Sequence, residues 1–240
     1  ELMQELGFRS SVDGAQDHDI ILRAVDRMMG EDRHAAGKAK LPIAHIPKVL
    51  YHWRCYEGST SENPESKRYA YEAGKRAVED FLKAREYQAD VVHTCHLGFF
   101  RVNYQPDLLS NRPDTAVVGG KLIDRHNRVV GGIYNENREP LYLGLHKEYS
   151  GYMHRASCQQ EAYAVDVRCM ICSEEAQTVW EELTGLPYVV QPHTGYFLYQ
   201  DVLKKDADYE ELSFKFCEEL RRRGKRIVWD PEMVQRVDGR

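Results

Sequence analysis

One layout occurs twice in this chain: an amphipathic helix leads through a glycine to an apolar strand, then a proline, then a polar end. The second copy is continuous, SFKFCEELRRRGKRIVWDPEMVQR over 213–236. The first begins at Asp17 and is interrupted by a polar, poorly periodic insertion from Met28 to Lys40 before the strand-like stretch that contains Pro47. An internal repeat outranks any local pattern in setting the fold, and alternating helices and strands imply α/β layers. Matching Pro231 to Pro47 and Leu220 to Val25 sets Ser213 near Asp17 and Lys215 near Asp19, with Arg236 where His52 stands. The second copy therefore lacks the acids of the first.

Those acids lie in DGAQDHDIILR, 13–23. Asp13 and Gly14 favour a turn, Asp17 and Asp19 are two residues apart, and Ile20, Ile21 and Leu22 follow at once, so a loop delivers carboxylates to a helix start. Asp17 as N-cap would accept first-turn N–H groups, and the helix dipole would keep it ionised. Two roles stay open on the residues alone: a helix cap, or a general base. Ile20, Ile21, Ala24, Val25 and Met28 are spaced as a core face, which leaves Arg23 and Arg27 on the more exposed side. Further on, IAHIPKVLYHWRCYEGSTS (43–61) predicts a short extended segment leading to His52, Trp53 and Arg54, then a Gly-Ser-Thr-Ser loop.

A net charge of −5 and a pI near 6.1 argue against a general nucleic-acid binder. The basic run Arg221, Arg222, Arg223, Lys225, Arg226 reads as a solvated helix end favoured by the dipole, with contact to an anionic membrane surface as the alternative. No apolar run approaches a membrane span and the first residues lack a signal-peptide pattern, so a cytoplasmic protein is expected, with the inner face of the cell membrane left open. The opening residues read like the middle of a domain, and a longer parent chain is expected. Six scattered cysteines do not form a secreted disulfide framework. Cys169 and Cys172 make a lone CxxC inside an apolar run, 165–172, which predicts a buried strand rather than a zinc or redox site.

Along the rest of the chain, ELMQELG reads as a short helix closed by Gly7. Asn63 and Pro64 start a helix that runs to about Arg85, with Ala70, Ala73, Ala77, Val78, Phe81 and Leu82 on its packing side. Residues 88–105 read as a strand with solvated His93 and His96, and 106–115 as a loop. Two strands flank a turn at 124–127, a helix over 174–183 ends at Gly185, and 188–199 is an aromatic-rich loop or strand.

GFRSSVDGAQDHDIILR followed by HIPKVLYHWR and GSTS closely resembles the carboxyl-terminal half of a family 2 glycosyltransferase domain with the GT-A fold, of the bacterial surface-polysaccharide or O-antigen type. HTCHLGFFRVNY resembles the segment that joins two such domains, and GYMHRASCQQEAYAVDVRCMIC resembles a second acceptor-side stretch. The resemblance implies that Asp17 deprotonates the acceptor hydroxyl, beside an acceptor loop over 8–16 that includes Gln16, while Asp19 positions that loop or contacts the acceptor. It makes His52 a ligand of a divalent metal (Mn or Mg) or a phosphate contact, and Arg54, Ser59 and Thr60 contacts of the donor diphosphate. The metal would neutralise the departing nucleotide diphosphate, its other ligand coming from an upstream Asp-x-Asp motif.

That upstream half is missing from the pattern. The linker passes through PDLLSNRPDT straight into AVVGGKLIDRHNRVVGG, with no SIIIP-type strand and no Asp-rich metal motif. In the second acceptor-side stretch Asp166, Val167 and Arg168 replace small residues and would crowd a sugar pocket. The expected architecture is α/β: incomplete GT-A-like (Rossmann-like) halves with mixed sheets flanked by helices, over 1–62 and 113–240, joined by a helical linker over 63–112. The expected function is part of an inverting, nucleotide-sugar-dependent glycosyltransferase acting on a glycan or lipid-linked acceptor, inactive without a donor-binding half. The alternative is a non-catalytic carbohydrate-binding or scaffolding module.

Overall fold

The computed structural model describes residues 2–30, 43–52, 68–190 and 208–237. These fall into two compact units, the first reaching Asp107 and the second beginning at Leu108.

The first unit is built on three helices and a hairpin: α1 (Leu2–Leu6), α2 (Gln16–Met29), α3 (Arg68–Ala84), β1 (Ala89–His93) and β2 (Phe100–Tyr104). Its small core sets Val12 and Ala15 of the loop and Leu22 of α2 against Ala73 and Ala77 of α3. Small residues on α3 let the loop approach closely, and Gly14 shows how closely. It adopts φ +94, and a Cβ there would come within 2.8 Å of the Tyr69 ring and 2.9 Å of Ala70 Cβ. Such a position admits glycine alone. Ala15, at the cap of α2, and Leu22, seven residues on, mark the side of the helix that faces α3, so Ile21, expected in the core, is instead 60% exposed. Arg85, just past α3, is buried and pairs with Asp26 at 2.9 Å. The segment expected as a linker thus contributes α3 and an antiparallel β1–β2 hairpin to the first unit. Residues 43–52 form no strand, and Ile43, Ile46, Val49, Leu50 and Tyr51 are all exposed.

The second unit is a mixed sheet flanked by helices. Its centre is β3 (Thr115–Ile123), buried along its whole length. One edge of β3 pairs in parallel with β9 (Arg226–Arg236), and β9 pairs antiparallel with β6 (Gln160–Glu161). The other edge is shared end to end by two antiparallel strands, β8 (Met170–Cys172) against Val117–Gly119 and β4 (Val129–Gly131) against Leu122–Ile123. Side chains alternate between the faces as a strand requires. Val117, Ile227 and Trp229 join Trp180 of α5 (Glu174–Thr184) and Phe214 and Phe216 of α6 (Tyr209–Arg222). Val118, Leu122 and Val228 face Leu108 and Leu109 of α4 (Leu108–Asn111). A second, two-stranded sheet joins β5 (Ile133–Tyr134) to β7 (Ala164–Val165).

Several expected elements form as read. The β3–β4 hairpin turns at Asp124, whose Oδ1 accepts from the N–H groups of His126 and Arg128. Helix α5 is capped by the Ser173 hydroxyl, which accepts from Ala176 N, and ends at Gly185 in the left-handed conformation. The expected strand over 165–172 is broken: β7 and β8 are separate, and 166–169 turn between them. Asp166 and Arg168 favour the turn by satisfying each other in a partly buried bidentate pair at 2.9 and 2.7 Å. Cys169 and Cys172 are buried free thiols, and burial pushes Cys169 up to about 12. The basic run at the end of α6 is largely paired: Arg222 and Arg223 with Glu219, Lys225 with Glu175, and Arg226 with Asp114 and Glu161.

Candidate functional site

The start of α2 opens onto a cleft of about 770 Å³ in the first unit. The loop before the helix supplies Phe8, Arg9 and Ser10, and Met3 of α1 adds to the wall. From the helix side come Asp13, Gly14, Gln16, Asp17 and Ile20. Two of the residues expected to act on an acceptor, Gln16 and Asp17, therefore stand together at one concave surface.

Asp17 is not the N-cap. Helix α2 starts two residues earlier than an Asp17 cap would set it, at Gln16, with Ala15 in the capping position and no side-chain hydrogen bond to cap it. The carboxylate sits in the first helical turn, exposed, and its Oδ1 accepts from the N–H of His18 at 2.8 Å. Negative charge in the first turn is favoured by the helix dipole. Because the cap is elsewhere, most of the carboxylate's hydrogen-bonding capacity faces solvent in the cleft. Gln16 points its amide at Asp13 Oδ1, 3.4 Å away. Behind the helix start, the His18 ring stacks on Phe100 of β2 with centroids 6.2 Å apart.

Asp19 has a different environment from its neighbour two residues away. It is 1% exposed and does not line the cleft. Arg23 Nε donates to its Oδ2 at 2.8 Å, and Arg9 donates to both carboxylate oxygens. Burial alone would raise the Asp19 carboxyl, but the hydrogen bonds and charges of Arg9 and Arg23 outweigh it and hold the group below its ordinary value. Of the two roles expected for Asp19, holding the loop fits this geometry. Contact with an acceptor does not, because both oxygens are taken beneath the surface.

Arg23, expected on the exposed side, is the hub of this arrangement. Its two terminal nitrogens donate to the carbonyls of Leu6 and Gly7, each at 2.7 Å. Those carbonyls end α1 and have no partner further along that helix, so Arg23 satisfies them while binding Asp19. Arg9 reaches on to Asp80 of α3 at 2.9 Å, Arg27 pairs with Glu5, and Arg76 of α3 donates to Ser11 O. The sequence signal was present in the i, i+4 pair Asp19–Arg23, but Arg9 lies ten residues away and no periodicity marks it.

Of the remaining predicted site residues the structure describes His52 alone, and it does not line this cleft. It is exposed, in the segment 43–52. Arg54, Ser59 and Thr60 lie outside the described residues. Among the described residues no group of three or more His, Cys, Asp or Glu side chains is arranged to hold a metal ion. No described helix is long and apolar enough to cross a membrane.

In the second unit the matching place is closed. Helix α6 begins at Tyr209, capped by Asp208, so Ser213 falls in its second turn rather than its first. Ser213 is fully buried, its hydroxyl donating to Tyr209 O at 2.6 Å and accepting from Val167 N at 3.0 Å. Arg168 lies over the Tyr209 ring at 4.9 Å, and Tyr134 donates to Asp166. The turn with the bulky residues thus packs on the start of α6. Lys215, opposite Asp19 in the repeat, is exposed and pairs with Glu211, one turn back on the same helix, at 3.6 Å.

Comparison with known proteins adds a partial relationship to this geometry. No family model matches the chain, and no solved structure matches it. It is similar to the uncharacterized protein y4gI of Sinorhizobium fredii (strain NBRC 101917 / NGR234), with 44% identity over 82 residues. That stretch is 34% of this chain and spans 8% of the relative's length.

Proposed function

We propose that the first unit is the acceptor-side half of an inverting, nucleotide-sugar-dependent glycosyltransferase of the GT-A type, active in a chain that also carries a donor-binding half. The observation that carries this reading is the exposed carboxylate of Asp17 in the first turn of α2, facing an open cleft whose loop is locked from below by Arg9, Asp19 and Arg23. A general base must be reachable from solvent and keep a lone pair free for the proton, and the exposed Asp17, engaged only by the His18 N–H at one oxygen, fits that role better than the buried, doubly bound Asp19. In the reaction Asp17 takes the proton of an acceptor hydroxyl as that oxygen attacks the anomeric carbon, and the nucleotide diphosphate leaves from the opposite face. One displacement inverts the configuration.

The donor side rests on the sequence resemblance: a divalent metal, Mn or Mg, with His52 as ligand or phosphate contact and Arg54, Ser59 and Thr60 at the diphosphate. The acceptor is a glycan or lipid-linked glycan of a bacterial surface polysaccharide, met in the cytoplasm at the inner face of the membrane. For the second unit the favoured reading is a non-catalytic scaffold, because Ser213 and the turn over Asp166–Arg168 fill the place where the first unit has its cleft.

The test is nucleotide release from a panel of nucleotide sugars by the full-length protein, with membrane lipid extract as acceptor source. Asp17→Asn is expected to lower turnover by about 10²–10⁴-fold with the fold intact. Turnover within twofold of the parent, or no acceptor-dependent release from any donor, would sink the proposal.

A further inference from the structure

The wall of the cleft holds a residue to which the chemistry above gives no part. Phe8 is 72% exposed, yet the chain on both sides of it is fixed. The carbonyls of Leu6 and Gly7 accept from Arg23, and Arg9 is bound to Asp19 and Asp80. Gly7 at φ 58 turns the chain out of α1 and sets Phe8 in the cleft lining. An aromatic side chain on a loosely held loop must be ordered before it can bind anything. Phe8 is attached to backbone already ordered by hydrogen bonds from Arg23 and flanked by the partly buried ion pairs of Arg9 and Arg23 with Asp19, so covering its ring costs little entropy and removes apolar surface from water.

The same lining carries Asp13, Gln16 and Asp17, which offer hydrogen-bond acceptors and an amide. A ligand suited to both needs one flat apolar face and a rim of hydroxyls, which describes a pyranose ring. We infer that Phe8 is the platform on which the acceptor sugar stacks, and that Arg23 is a positioning residue that fixes this platform relative to Asp17. The inference rests on the transferase reading for the identity of the ligand as acceptor. The stacking itself is a statement about this cleft.

Two measurements separate the claims. In the full-length protein, Phe8→Ala raises the acceptor KM about tenfold, with a much smaller change in kcat and none in donor KM, while Phe8→Trp keeps the parent value. Arg23→Lys retains charge but cannot serve two carbonyls and a carboxylate at once, and it raises acceptor KM in the same way. A general loss of structure would move donor KM and kcat together. Independently of turnover, the Phe8→Trp variant titrated with methyl glycosides of glucose, mannose and mannobiose gives a saturable change in emission that the parent lacks. An unchanged acceptor KM in Phe8→Ala overturns the platform while leaving the transferase intact. If no transfer is found at all, a saturable Phe8→Trp signal upholds the platform as a sugar site, and a flat titration overturns it.

Discussion

The starts of α2 and α6 are matched by the sequence repeat, although the strand of its first copy does not form over 43–52, and they have opposite properties. Helix α2 begins without a side-chain cap and presents an exposed carboxylate to a cleft. Helix α6 begins a turn earlier by the repeat register, is capped by Asp208, and buries the matching residue under a turn from β7 to β8. Charge is reversed as well. In α2 the buried ionic group is the acid Asp19, held by two arginines, whereas its counterpart Lys215 has moved to the surface. An uncapped helix start costs capping energy, roughly 0.5–2 kcal/mol, and an exposed carboxylate at such a start is the kind of local inconsistency that marks a candidate functional site. The closed helix start has no such cost. One copy has been kept open at the expense of stability, and the other has been packed shut.

Substitutions can break this contrast, and amide exchange on α2, with α6 as internal reference, reads each of them. The largest effect is expected from Asp19→Ala, which leaves Arg9 and Arg23 facing each other. About 3 kcal/mol is lost from α2, the low end for a broken buried pair because both guanidinium groups retain some water, and α6 is unmoved. This contribution is pH-dependent with a definite sign. The folded carboxyl lies below its ordinary value of 3.8, so the stabilisation is complete above that value and fades as pH falls through the lower native one. The gap between parent and Asp19→Ala therefore closes in acid. A gap that widens in acid would refute the network. Next, Gly14→Ala drives a Cβ into Tyr69 and Ala70 at a left-handed backbone position, for a loss of about 2 kcal/mol on α2. The smallest effect is expected in the other copy. Ser213→Ala removes the acceptor of Val167 N and costs α6 about 1–2 kcal/mol without touching α2. Full protection of α6 in that variant would mean that the turn does not seal it.

The helices were legible because their periodicity and punctuation agree. Gly185 ends α5 as its place in the sequence implied, and Asp124 marks the β3–β4 turn by bonding its neighbouring backbone. Two kinds of feature were not legible. The first depends on a partner far along the chain: Arg9 for Asp19, and Ser213 for Val167. The second arises where an apolar run contains polar residues that satisfy one another, as Asp166 and Arg168 do in turning what reads as one strand into two. Ile21 falls between these cases. Its spacing suits a core face, but the face that turns inward is set by Ala15, which meets the small residues of α3. The alignment of Gln16 and Asp17 on one cleft was readable from the motif, whereas the burial of Asp19 beneath it was not.

The parallel pairing of β3 with β9 has a consequence for synthesis. Thr115, at the start of the second unit, pairs with Arg226, near its end. A ribosome therefore releases β3 long before the strand that completes it, and only β4 and β8 can occupy its other edge in the meantime. Until β9 emerges, β3 keeps one edge unpaired and its apolar side chains incompletely covered, the state most prone to wrong pairing and to capture by chaperones. The most buried strand of the mature unit is thus its greatest liability while the chain is being made.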